Sequence, residues 1–222
     1  MRKRVALGLV IGGALLLVLD AVVVRLGLAH GIVPRLAGAS PWITSRAAGV
    51  TAFLALTLDV VFGLFVSTAA ADRLIPRARS VEVHRWLSSV TLALTATHAL
   101  ALLGDRFIGF DVLAALVPFL APYRAFAVGL GVLAAYGAVT LHVSFWLRRR
   151  TGARTWRKLH YLSFFVFSAG LVHGLLAGSD SRSNGMRAIY IVSITLVASL
   201  GLYRVLGART ALTAPRRSGS GA

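Results

Sequence analysis

The chain of 222 residues contains no cysteine. That excludes disulfides, thiolate-held iron–sulfur clusters and the C-x-x-C-H attachment of c-type haem. Any haem here is held by side chains such as histidine, without a thioether bond. Acid is also scarce: 7 Asp and Glu stand against 24 Lys and Arg, and only 14% of residues are charged. With 57% hydrophobic residues and a mean hydropathy of +0.79, the composition is that of a membrane protein, not a soluble domain. A formal net charge of +17 would suggest nucleic acid in a soluble chain. Here the basic residues fall between apolar runs, so the expected surrounding is a lipid bilayer and no nucleic-acid partner is expected.

Six apolar segments are long enough to cross a bilayer: about 5–27, 47–69, 83–103, 126–147, 157–177 and 187–207. The expected fold is therefore an all-α integral membrane bundle of six transmembrane helices. Met1-Arg-Lys-Arg before an apolar run could open a signal peptide. The run is long for a signal core and no small-x-small site follows, so a first transmembrane helix is the expectation. Residues 2–4, 73–85, 148–158 and 204–217 carry 17 of the 24 Lys and Arg, and the alternate loops carry 7. Basic residues mark the cytoplasmic side, which predicts that both termini are cytoplasmic. Trp86, Trp146 and Trp156 then fall at the inner interface and Trp42 at the outer one. In the long outer loop 104–125, Phe110 to Leu120 is too short to span. It is expected to lie on the membrane or cover an outer site. The tail 208–222 is small, polar and basic, and disorder is expected there.

Histidine is costly inside a bilayer and marks a functional site by default. Segment three carries His84 and His98, 14 residues apart; segment five carries His160 and His173, 13 apart. At helical rise these intervals are about 21 and 20 Å. Both segments run from inside to outside, so His84 can face His160 at an inner level and His98 can face His173 at an outer one. His84, Ser88, Thr91, Thr95 and His98 recur at +4, +3, +4 and +3 and share one helix face. Its small side chains leave room for a flat macrocycle. Thirteen residues turn the two histidines of segment five well apart on a straight helix. A bend near Gly170, helix tilt or sideways displacement of the haems would reconcile them. Histidine is an axial ligand of haem iron, and two histidines fill both axial positions. The pattern reads as a two-haem electron conduit across a membrane.

Several phrases resemble bacterial ferric reductase-like transmembrane domain proteins, relatives of ferric reductases, NADPH oxidases and the haem-binding subunits of methionine sulfoxide reductase systems. They are Thr44-Ser-Arg-Ala-Ala-Gly49, Val83-His-Arg-Trp-Leu-Ser88, Val117-Pro-Phe-Leu-Ala-Pro-Tyr-Arg124, Trp156-Arg-Lys-Leu-His160 and His173-Gly-Leu-Leu-Ala-Gly-Ser-Asp180. The likeness spans about residues 42–205 within a haem-binding domain of 1–207. It implies two haem b, held by His84 with His160 inside and His98 with His173 outside, and electron flow outward across a bacterial plasma membrane. Ferric reductases and NADPH oxidases continue into flavin and nucleotide domains. Only residues 208–222 come after the last segment here, and no G-x-G-x-x-G opens a Rossmann unit. No flavin site is visible, so a separate flavoprotein reductase or a membrane quinol is the expected donor. The expected acceptor is extracytoplasmic: a ferric chelate, oxygen or a partner reductase.

Other residues carry two readings each. Arg46 and Arg124, at the outer level, could pair with haem propionates or anchor the interface. Arg85, Arg157 and Lys158 fit positive-inside placement. Asp20 and Asp59 could be protonated and hydrogen-bonded or belong to a proton route. His142 could be hydrogen-bonded or line a quinol or flavin site, and His30 sits in an outer loop. Gly63, Gly129, Gly131 and Gly137 permit close approach of a helix or a haem. Two other functions compete with the electron conduit: a quinol- or flavin-coupled subunit of a sulfoxide reductase-type system, and a transporter whose histidines bind a metal ion directly.

Overall fold

A chain in hydrocarbon must satisfy every backbone polar group internally, which favours continuous helices. A computed structural model describes residues 40–104 and 109–213. They form α1 (Ser40–Thr68), α2 (Arg77–Leu103), α3 (Val112–Leu116), α4 (Ala125–Thr151), α5 (Ala153–His160), α6 (Leu162–Ala177) and α7 (Asn184–Thr213), with no strand among the described residues. Five stretches are long and apolar enough to span: Pro41–Thr68, Arg77–Leu103, Ala125–Thr151, Ala153–Ala177 and Asn184–Gly207, at mean hydropathies of 1.5 to 2.1. They correspond to the second through sixth expected segments. The first, 5–27, lies outside the described residues, as do Asp20 and His30. Helix α7 continues to Thr213, beyond the boundary at 207 read from hydropathy.

Hydroxyls inside the spans do not open the helices. Thr51, Thr57, Thr95, Thr97 and Thr140 each donate to the carbonyl four residues back. Turns use local devices. Pro76 precedes α2, where its missing N–H loses nothing. Asp111 caps α3 by accepting from the Ala114 amide at 2.6 Å. Gly152, at φ 79°, supplies the left-handed backbone between α4 and α5 that other residues adopt only with strain.

Helix α1 is the spine. It packs along α2 and against α6 and α7, while α4 packs along α6. Phe53, Val60, Val61 and Leu64 of α1 meet Phe167 of α6 and Met186, Tyr190 and Val197 of α7. Phe53 stacks on Phe167 at 6.0 Å and meets the edge of Tyr190 at 5.4 Å. Lipid gives helices little hydrophobic reason to associate, so close packing and polar pairs matter more. The Ser193 hydroxyl donates to Thr57 Oγ1 across α7 and α1 at 3.2 Å, since the Thr57 proton already goes to the Phe53 carbonyl. A Cβ on Gly137 would sit 2.6 Å from Val166, so that glycine lets α4 and α6 approach.

The loop before α4 folds back on it. Phe110, Ala114 and Ala121 bury against Val128 and Val132. A Cβ on Gly129 would lie 2.2 Å from the Phe119 ring. Gly129 therefore serves the loop, not a histidine.

Candidate functional site

Helix α2 carries two of the histidines, and α5 and α6 carry the others. Across the bundle, the rings of His84 and His160 face each other at 6.0 Å between centroids and 81° between planes. Those of His98 and His173 do so at 6.1 Å and 78°. Helix α2 lies along α1 and α6 along α4, with little direct packing of α2 on α6. The facing rings thus bridge α2 to α5 and α6, beside the direct packing of α1 on α6.

The geometry can be tested against a haem iron. An imidazole nitrogen binds a metal at about 2 Å, and its ring centre lies about 1 Å further, so two axial histidines put their centroids about 6 Å apart. Both observed separations meet that requirement. The nitrogens are also prepared for it. His84 Nδ1 is 2.9 Å from the Asp59 carbonyl, His98 Nδ1 2.7 Å from the Ser45 carbonyl, and His173 Nδ1 2.9 Å from the Ala127 carbonyl. A carbonyl only accepts, so each Nδ1 donates and carries the proton. The lone pair is then on Nε2, and the backbone fixes both tautomer and ring direction, as second-shell partners do for metal-binding histidines.

Each of these carbonyls has a glycine four residues later. A Cβ at Gly49 would lie 2.9 Å from His98 Nδ1, one at Gly63 3.2 Å from His84 Cε1, and one at Gly131 2.6 Å from His173 Nδ1. Carbonyl and glycine together form a cradle that the ring fills. Ser45 and Asp59 are 14 residues apart, as are Gly49 and Gly63. That interval equals the one between His84 and His98 on the antiparallel neighbour. Ser45 adds its hydroxyl, 3.0 Å from His98 Nδ1 and donating to the His98 carbonyl at 3.2 Å. Sequence reading missed Ser45, Gly49 and Ala127; the matched 14-residue interval was the signal that could have revealed the first two.

The 13-residue interval of the other pair is absorbed at Tyr161, not at Gly170, which lies within continuous α6. The Tyr161 amide donates to the Lys158 carbonyl at 3.2 Å and the Phe164 amide to the Tyr161 carbonyl at 3.1 Å, both three-residue bonds. Such a turn advances about 120° and 2.0 Å per residue, against about 100° and 1.5 Å in an α-helix. Over roughly three residues this adds about 60° and 1.5 Å. Thirteen residues then rise the same ~21 Å as fourteen, and the two rings turn toward one side.

The remaining candidates have assigned places. The Asp59 carboxylate Oδ1 lies 2.8 Å from His84 Nδ1, beside the carbonyl of the same residue at 2.9 Å. His142 Nδ1 is 3.3 Å from the Ser88 hydroxyl. Thr95 bonds its own backbone and Thr91 Oγ1 is buried without a partner. Arg46 pairs with Asp180 and lies 4.0 Å over the Trp42 ring. Arg124 donates to the Leu176 carbonyl. Arg46 adjoins Ser45 and Arg124 is three residues from Ala127, so both stand at the level of the His98–His173 pair. Among the described residues no three His, Asp or Glu side chains form a group that could hold a bare metal ion.

This chain matches no protein-family model, no curated protein and no solved structure.

Proposed function

We propose that this chain is a dihaem b-type electron-transfer protein of the ferric reductase-like kind, with six membrane helices and both termini cytoplasmic in a bacterial plasma membrane. The observation that carries this reading is the pair of facing histidine rings at 6.0 and 6.1 Å, set ~21 Å apart along α2. His84 and His160 would hold the inner haem, and His98 and His173 the outer. A haem held by each pair would supply one-electron exchange. The chain supplies position and exclusion. Asp59, Ser45 and Ala127 aim three Nε2 lone pairs, and the glycines bring the helix backbones against the rings. Arg124 and Arg46 place positive charge at the outer level, suited to propionates, with the Arg46 charge already shared with Asp180.

A metal transporter would need three or four donors around one ion; the histidines instead come in separated pairs. One observation favours a lipid-soluble donor such as a quinol. A mainly apolar groove of about 360 Å³ between α4 and α5 is lined by Val139, Val143, Leu147, Trp156 and Leu159 together with four Ser and Thr side chains, and Trp156 lies against His160, tilted, at 4.9 Å.

A pyridine haemochrome assay with protein quantitation tests the reading. About two haem b per chain are expected, with low-spin spectra as purified. A ratio near one would remove a site, and a ratio near zero would remove the function. Orientation is checked separately. The 17-to-7 division of Lys and Arg predicts cytoplasmic signals from reporter fusions at residues 75, 152 and 215, and external signals at 35, 112 and 182. Inverted signals would reverse the direction of transfer.

A further inference from the structure

The four histidines are unequally held. His84, His98 and His173 each donate Nδ1–H to a helix carbonyl and rest against a glycine. His160 has neither support. Among the described residues its buried Nδ1 has no hydrogen-bond partner. On α4, the positions 14 residues beyond Ala127 and Gly131 are Leu141 and Phe145, so the register that would place a glycine carries a bulky ring. Helix α5 has 8 residues, none of them buried, and His160 ends it, next to the tightened turn at Tyr161. The ring lies against Trp156, tilted by 30° at 4.9 Å between centroids, and among the described residues Trp156 Nε1 is itself buried without a partner. Losing a second-shell partner of a metal-bound histidine typically weakens the metal about 10–100-fold.

We infer that His160 is the exchangeable ligand of the inner site: a small diatomic ligand of ferrous haem replaces it there, while the outer site, with both histidines anchored, stays closed. In this exchange the bond from iron to His160 Nε2 breaks, a bond from iron to the diatomic forms, and no electron moves. Trp156 and the groove beside it give the displaced imidazole an apolar wall. The inference rests on the dihaem reading.

The test uses carbon monoxide on dithionite-reduced membranes containing the full chain. About half of the Soret absorbance should move to the carbonyl form, because one of the two sites lacks its second-shell anchor. In His98→Leu, which lacks the outer haem, nearly all the remaining haem should bind carbon monoxide. His173→Leu serves if His98→Leu does not accumulate. Two haems per chain with no carbon monoxide shift would overturn the inference and leave the dihaem function standing. Equal shifts at both sites would overturn it as well. A chain without haem would overturn both.

Discussion

Replacing His98 with leucine should remove the outer haem and nearly all electron delivery to an external acceptor, while the inner haem stays reducible from the cytoplasmic side. The haem content should fall from about two to about one per chain, because bis-histidine sites need both axial ligands. Replacing His84 with leucine should give the opposite phenotype: an outer haem that the cytoplasmic donor no longer reduces. Position alone produces the asymmetry. His84 and His98 lie on one helix, ~21 Å apart, and the last turns of α4 and α5 carry the basic residues where an acidic donor could dock. Anaerobic reduction of each variant in oriented vesicles, monitored by absorbance and by external ferric chelate reduction, measures both effects. Membrane abundance must be compared first, since losing a bound group also destabilises the fold that binds it. Outward transfer at the parental rate from the His98 variant would rule out a serial path.

The second large effect should come from residues with no chemistry of their own. Gly131→Ala, Gly49→Ala and Gly63→Ala place a Cβ at 2.6, 2.9 and 3.2 Å from the ring of His173, His98 and His84 respectively. Overpacking of this kind costs about 1–3 kcal/mol. The displaced ring also leaves its carbonyl acceptor, a loss of about 0.5–1.5 kcal/mol. Haem should therefore be held about tenfold to a thousandfold less tightly, the more so where the clash is largest. The expected order of loss is Gly131, then Gly49, then Gly63, with the first two affecting the outer haem and the third the inner. Gly129→Ala is the control: its Cβ would meet Phe119, so it should disturb the outer loop and leave the histidines in place. Titrating haem into the apo-protein in nanodiscs would rank the four. Equal haem loss from all four would show that general helix packing, not the cradles, is responsible.

Much of this architecture is local and therefore legible in the sequence. Hydropathy over a 20-residue window depends only on neighbours in the chain, so the five spans among the described residues coincide with five of the apolar segments. The pairing of histidines by depth comes from helical rise and the alternating direction of spans, and the rings do face one another in those pairs. Azimuth and side-chain contact, by contrast, belong to the tertiary structure. Every residue of α1 and α4 offers a carbonyl, and nothing in the residue names says that those of Ser45, Asp59 and Ala127 would meet a ring. Four glycines looked alike; tertiary contact divides them, with Gly63 and Gly131 against histidines, Gly137 against Val166 and Gly129 against Phe119. The adjustment that reconciles 13 residues with 14 sits at Tyr161, where two three-residue hydrogen bonds tighten the chain and Arg204 from α7 reaches the Tyr161 hydroxyl at 3.3 Å. A three-residue turn and a four-residue turn differ little in intrinsic energy over so short a stretch. Packing from a distant helix can therefore choose between them, and no local pattern records that choice.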